Sequence, residues 1–316
     1  MSRHRSALFF VALSAVWGVA FVAIKAGLTH VPPVLFAAVR YDVAGVVVLG
    51  YAFVVTDPIP RTREEWALVA VGSALLVAGY NVFLFVGESD PAVTSAAASV
   101  VVSLSPILTA AFARGLLPEE RLSRGGIAGL LFGLLGVAVL SRPNPTNLLA
   151  GATVGEALVF GAAASFALGS VLTRRIDAEL PIETMEAWSM LGGALLMHLA
   201  SVGLGESLGA AQWTPAALVS LGYLSVVSSA IGFLLYFDLL DRLGPVEINL
   251  VSYVAPVFAA LAGWTLLGEV PTVATAVGFA LIVLGFLLVK RTAVRRELPR
   301  LRRTVRSALD GSRGSE

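Results

Sequence analysis

The chain has no cysteine among its 316 residues, which excludes disulfide cross-links, thiolate metal sites and cysteine nucleophiles. Charge is scarce as well. Asp, Glu, Lys and Arg make up 14% of the chain, where a soluble domain carries about 25%, so there is too little charge to cover a water-facing surface. Lysine occurs only as Lys25 and Lys290. Neither closes a G-x-x-x-x-G-K-[ST] phosphate loop, so nothing points to an ATP-driven pump. The three histidines, His4, His30 and His198, fall on a tail, a loop and a span. They build neither a metal cluster nor a Ser-His-Asp arrangement, and no metal or cofactor is expected. No nucleic-acid-binding module is legible either.

What the chain does have is apolar length. Its hydrophobic share is 57% and its mean hydropathy is +0.85. A helix needs roughly 20 apolar residues to cross the hydrocarbon core. Ten such segments are expected, at 7–28, 34–56, 66–87, 91–115, 124–141, 153–174, 183–204, 214–237, 245–267 and 272–290. The first resembles a signal peptide, but the many runs behind it favour a retained span. Each run is too long and too evenly apolar for a barrel strand, which leaves an all-α membrane bundle.

The basic residues set an expected orientation. With the N-terminus inside, Arg3, Arg5, Arg61, Arg63, Arg114, Arg121, Arg124, Arg174, Arg175, Arg242 and nine residues from Lys290 onward fall on the inner side. Arg142 alone falls outside, while Lys25 and Arg40 lie within spans. Both termini are therefore expected in the cytoplasm of a multi-pass protein of the cell membrane. The basic tail at 291–316 is expected to rest on anionic lipid.

The sequence repeats itself. "ALVAVG" at Ala67 returns as "ALVSLG" at Ala217, and Pro106 returns as Pro256, both at an offset of 150. With one residue deleted, Glu120 aligns with Glu269, and Gly129 and Gly136 align with Gly278 and Gly285. "VWGVAFVAIK", ending at Lys25, matches "SFALGSVLTR", ending at Arg174, at an offset of 149. The two units run over 7–141 and 153–290. Five spans per unit is an odd number, so the second copy must sit inverted in the membrane, as in secondary transporters.

Several residues stand out against this apolar background. Pro106 and Pro256 each remove a helix hydrogen bond and are candidate kinks. Glu120 and Glu269 lie at span boundaries, where capping or interhelix bracing is their favoured role. Lys25 and Arg40 are costly inside a membrane and call for a partner, a cavity or snorkelling to the headgroups. Glu88 lies at the depth of Lys25, and the repeat maps Lys25 onto Arg174 and Glu88 onto Asp238. Lys25 with Glu88, and Arg174 with Asp238, are thus candidate gate pairs on opposite faces. Trp17, Tyr80, Asn81, Tyr236, Glu247, Asn249 and Tyr253, together with Lys25 and Arg40, are candidates for the substrate pathway. Interhelix bonding and interfacial belts are the competing roles for the aromatic and amide side chains. Gly125, Gly129 and Gly133 form a small-residue stripe that suits close packing within a monomer, or a homodimer face.

"WG" followed by Lys25 in the first span, a proline in the fourth, "ERLS" from Glu120 before the fifth, and spaced glycines within it together resemble the drug/metabolite transporter superfamily. Within it the chain is most similar to EamA-type ten-helix exporters. The resemblance implies two inverted five-helix repeats, a central substrate cavity, and export of amino acids or related metabolites. In the second repeat Phe166 stands at the tryptophan position, and Val270, Pro271 and Thr272 replace Arg121, Leu122 and Ser123. A broad-specificity drug exporter and a metabolite importer are alternatives on the same fold. An intramembrane lipid-modifying enzyme is the alternative from another class, and it lacks a cluster of His, Asp or Glu at one depth.

The orientation is directly testable. Reporter fusions at Arg61 and after Arg306 are expected to read cytoplasmic, and one near Asn147 external. A cytoplasmic signal at Asn147 would overturn the ten-span count.

Overall fold

The computed structural model describes residues 3–117, 124–141, 151–243, 248 and 250–289. These form ten helical spans and no strand. They are α1 (Arg3–Leu28), α2 (Pro33–Val55), α3 (Arg63–Glu88), α4 (Ser95–Leu116), α5 (Arg124–Ser141), α6 (Gly151–Arg175), α7 (Ile182–Gly203), α8 (Pro215 to Leu243), α9 (Val251–Leu267) and α10 (Val273–Val289). Six are long and apolar enough to cross a membrane, and α5, α9 and α10 are shorter apolar helices. The remaining span, α7, carries Glu183 and Glu186 in its first turns. Glu120, Glu247, Asn249 and the basic tail lie outside the described residues.

Local chemistry explains where the helices start and break. The Thr62 side chain accepts from Glu65 N–H and the Glu65 carboxylate accepts from Thr62 N–H, a capping box that opens α3. Thr94 and Thr214 cap α4 and α8 by accepting from the amides of Ala97 and Ala217. Within α4 the α-helix is interrupted at Ser103 and Leu104. Pro106 has no N–H for the carbonyl of Val102, and Ser105 Oγ donates to that carbonyl instead, at 2.7 Å. Pro256 behaves differently: the α-helix runs through it from Val251 to Ala262. The departure in α9 comes later, in a π-helical turn at Gly263–Leu267.

Two longer π-helical segments stand at matching places in the repeats, Gly72–Gly79 in α3 and Tyr223–Ile231 in α8. Their separation is within two residues of the 150-residue offset seen in the sequence. Such segments loosen the backbone ladder and recur at functional sites.

Packing follows the same duplication. α1 lies along α9, α4 along α6, α3 along α6 and α8 along α1, so each contact has its counterpart in the other repeat. Two contacts map onto themselves, α2 with α7 and α5 with α10, and they mark the pseudo-two-fold axis. In the second of these Gly136 meets Gly278, and Gly129 meets its neighbour's Gly285. A Cβ on Gly136 would stand 2.6 Å from the Gly278 carbonyl oxygen, and one on Gly278 would stand 2.6 Å from that of Gly136. Because Gly129 and Gly136 are the repeat partners of Gly278 and Gly285, this seam is symmetric and antiparallel. The α2–α7 contact is tied at both ends. Glu206 accepts from the amides of Val34 and Leu35, and Thr184 Oγ1 donates to the Asp57 carbonyl at 2.6 Å.

Leucine at Gly136 or Gly278 should therefore overpack the seam and destabilise the protein by about 1–3 kcal/mol. Gly50, which has nothing near its Cβ position, is the control. Thermal unfolding of purified variants should show a loss at the first two positions and little change at the third.

Candidate functional site: a central arginine and a capped end

Polar side chains gather in two places along the bundle. The first lies beside the paired π-helical segments. Arg40 of α2 is buried, 7% exposed, and its Nη2 donates to Ser229 Oγ of the α8 segment at 3.2 Å. Its guanidinium sits 4.9 Å from the centroid of the Tyr41 ring and 6.0 Å from that of Phe85, where cation–π attraction offsets part of its lost hydration. Its Nε–H has no hydrogen-bond partner among the described residues. A buried donor left unsatisfied costs about 1–3 kcal/mol, so this position is suited to an incoming acceptor.

The loosened backbone around Arg40 is held by side chains. Trp17 of α1 donates from Nε1 to the Ser228 carbonyl at 3.2 Å and lies over Tyr236, with Phe233 at its edge. Gly232 leaves room for that indole, since a Cβ there would stand 2.9 Å from Nε1. Asn81, fully buried on α3, donates from Nδ2 to the Val77 carbonyl at 2.7 Å. Tyr80 meets Phe166, the repeat partner of Trp17, edge to face at 5.7 Å. Tyr253 packs on Phe286 with ring centroids 4.4 Å apart. The hydroxyls of Ser73, Ser225 and Tyr253 and the Asn81 carbonyl oxygen are buried with no partner among the described residues.

The second place is the end of the bundle away from the N-terminus. Lys25, half-buried near the end of α1, donates to the carbonyls of Glu88, Asp90 and Val93 at 2.9, 2.6 and 2.6 Å. The ammonium thus sits on the negative end of α3 and the turn beyond it. Glu269 acts on the adjoining helix. Gly268 takes a left-handed φ of 68° and Glu269 N–H donates back to the Gly263 carbonyl, which closes α9 and turns the chain. The Glu269 carboxylate then accepts from Ser95 N–H at 2.9 Å and from Ser95 Oγ at 3.3 Å. One repeat supplies the cation for the end of α3, and the other supplies the anion for the start of α4.

The sequence-derived pairs sit differently in space. Lys25 reaches main-chain carbonyls, while the carboxylate oxygens of Glu88 are fully buried and accept no hydrogen bond among the described residues. On the opposite face Asp238 pairs with Arg242, four residues along the same helix, and Arg174 lies in the exposed last turn of α6. The serines of α8 and the turn at Asp90 and Val93 were not legible as site residues. Their only sequence signal is "YLSVVSSAIGF", where three serines interrupt an otherwise apolar span.

Removal of the Glu269 carboxylate by Glu269→Ala should leave the Ser95 amide at the start of α4 without its acceptor, while the Thr94 cap stays, and cost about 0.5–2 kcal/mol. Ser95→Ala keeps the main-chain bond and should cost less. Unfolding midpoints of the two purified variants and the parent decide it, and a Glu269→Ala midpoint equal to the parent's would show that the contact contributes nothing.

Comparison with known proteins agrees with this architecture. The model of the EamA-like transporter family matches twice, at residues 4–142 and 153–291. An Escherichia coli K12 protein named an uncharacterized inner membrane transporter, YedA, is 32% identical over 88% of this chain and 88% of its own length. The Bacillus subtilis uncharacterized transporter YoaV is 26% identical over 92% of this chain and 98% of its own. A Salmonella typhimurium protein named a probable amino-acid metabolite efflux pump is 29% identical over 88% of this chain and 94% of its own. A solved crystal structure, 26% identical, superposes with a TM-score of 0.65 over 94% of this chain and 100% of that one.

Proposed function

Since this chain belongs to the EamA-like transporter family, we propose that it exports amino acids or related small metabolites across the cytoplasmic membrane by alternating access. The chain is a transporter and not an enzyme. In the proposed orientation both termini are cytoplasmic and the end bearing Lys25, Glu88 and Glu269 faces outward, in accord with the distribution of basic residues.

The observation that carries the substrate class is Arg40, a buried guanidinium beside two loosened helices with one N–H unpaired among the described residues. A carboxylate is the geometric complement of a guanidinium fork. In this reading Arg40 receives the carboxylate of an amino acid, with Tyr41 and Phe85 bordering it. Main-chain carbonyls of the π-helical segments accept from its ammonium group, as carbonyls of interrupted helices coordinate cations in other transporters. The name of the Salmonella relative, at 29% identity, supports the same class.

The charged groups at the outward end serve as its gate in this account. Lys25 and Glu269 fasten the α3–α4 turn from opposite repeats, and Glu88 is buried at the end of α3. Arg174 and Asp238, their repeat counterparts, belong to the inward gate. Pro106 and Pro256 are proposed flexing points, and Trp17, Tyr80, Asn81, Tyr236 and Tyr253 border the pathway.

The test is exchange of radiolabelled amino acids by protein reconstituted in liposomes. The parent should exchange at least one of them, and Arg40→Ala should lower exchange tenfold or more, as loss of a charged hydrogen bond of about 1.5–3 kcal/mol requires. Arg40→Lys keeps the charge but not the fork and should mainly raise KM. If Arg40→Ala exchanges at the parental rate, the carboxylate site lies elsewhere.

A further inference from the structure

We propose that Glu88 is a proton-binding site, taking up a proton when its end of the bundle closes and releasing it when that end opens. The inference starts from a count of donors. An ammonium has three N–H groups, and Lys25 directs all three to main-chain carbonyls, those of Glu88, Asp90 and Val93. None is left for the Glu88 carboxylate. Glu88 is fully buried, and neither of its carboxylate oxygens accepts a hydrogen bond among the described residues. An ionised carboxylate without donors in such a place is costly, and a buried carboxyl usually escapes that cost by binding a proton.

Other titratable groups lie around this carboxyl. Lys25 on α1, Arg40 on α2 and Glu269 after α9 are near enough to act on Glu88 electrostatically, and Asp90 flanks Lys25 from the α3–α4 turn. Tyr80 on its own helix acts electrostatically on Glu88, and Tyr41 on α2 lies beside Tyr80. From α6, whose Gly155 packs on Gly87, the acid at this end is Glu156, itself engaged in further interactions. Glu269 is occupied at the start of α4, and the Asp90 side chain accepts from Ala92 N–H. Glu88 therefore differs from both in having no donor.

The linkage has a definite sign. The closed end, which buries Glu88 without donors, binds the protonated carboxyl more tightly than an end opened to water. Acid pH therefore favours closure and alkaline pH favours opening. This inference uses the gate placed at this end under the proposed function but not the substrate, so it can be tested without one.

The absence of native cysteine gives a clean background for labelling. A single cysteine replacing Ala97, 5% exposed beneath the Glu269 cap, reports opening of this end in purified protein. Its rate of maleimide labelling, corrected for thiol ionisation with a cysteine at exposed Ala92, should rise about five-fold or more from acid to alkaline pH, in the range usual for coupled sites. Glu88→Gln, which mimics the protonated form, should remove the pH dependence and hold the rate low, while Glu88→Asp should retain the dependence. Infrared spectra of the parent should show a protonated-carboxyl stretch that Glu88→Gln lacks, and this readout needs only the parent if the glutamine variant fails to fold. Unchanged pH dependence in Glu88→Gln, or a parent lacking a carboxyl band that titrates with the labelling rate, would overturn the proposal. Amino-acid exchange by the same parent protein separates that failure from failure of the transport reading.

Discussion

Where lipid surrounds a helix, each main-chain N–H and C=O must find its partner within the protein. Among the described residues, three of the ten spans depart from regular α-helix by π-helical turns and a fourth by a break. Where a side-chain answer is visible, each is specific. Asn81 takes the Val77 carbonyl in one π-helical segment and Trp17 takes the Ser228 carbonyl in the other. Ser105 donates where Pro106 cannot. Arg40 stands beside one of these deviations, bonded to Ser229 of the α8 segment, and against Phe85 of α3, the span that carries the other.

The duplication gives this arrangement its mechanical sense. The seams α2–α7 and α5–α10 lie on the pseudo-two-fold axis and map onto themselves, so a rearrangement of one repeat can be mirrored by the other about fixed contacts. The Gly136–Gly278 approach is close enough to exclude any Cβ, which suits a fixed seam. The two ends are not in the same condition. At one, Lys25 and Glu269 bind the α3–α4 turn; at the other, Asp238 is engaged within its own helix by Arg242. A structure symmetric in fold and asymmetric in its end contacts is one conformation of a pair, in the alternating-access account.

Much of the fold was legible because membrane spans write themselves as apolar runs and inversion follows from an odd number of spans per repeat. The register of Gly129, Gly136, Gly278 and Gly285 was legible as a repeat, and the structure adds that these glycines meet across the axis. The site was legible in its residue types and not in its partners. Lys25 and Glu88 share a depth, and pairing by charge is the natural sequence reading. Yet an ammonium near a helix end can instead serve the carbonyls that the helix leaves unpaired, and no sequence pattern distinguishes these outcomes. The π-helical segments were hidden for a similar reason. "GSALLVAG" and "YLSVVSSAI" read as ordinary apolar helix, and only packing against the neighbouring spans selects the wider turn.

The central claim is that the two ends open alternately. The most direct measurement is the distance across each end, read by pulsed electron resonance from spin-label pairs on the cysteine-free chain. One pair, Ala92 with Val270, spans the Lys25–Glu269 end, and the other, Asp177 with Leu243, spans the opposite end. The account predicts that conditions lengthening one distance shorten the other, in the same protein. Distances that stay fixed, or that lengthen together, would contradict it.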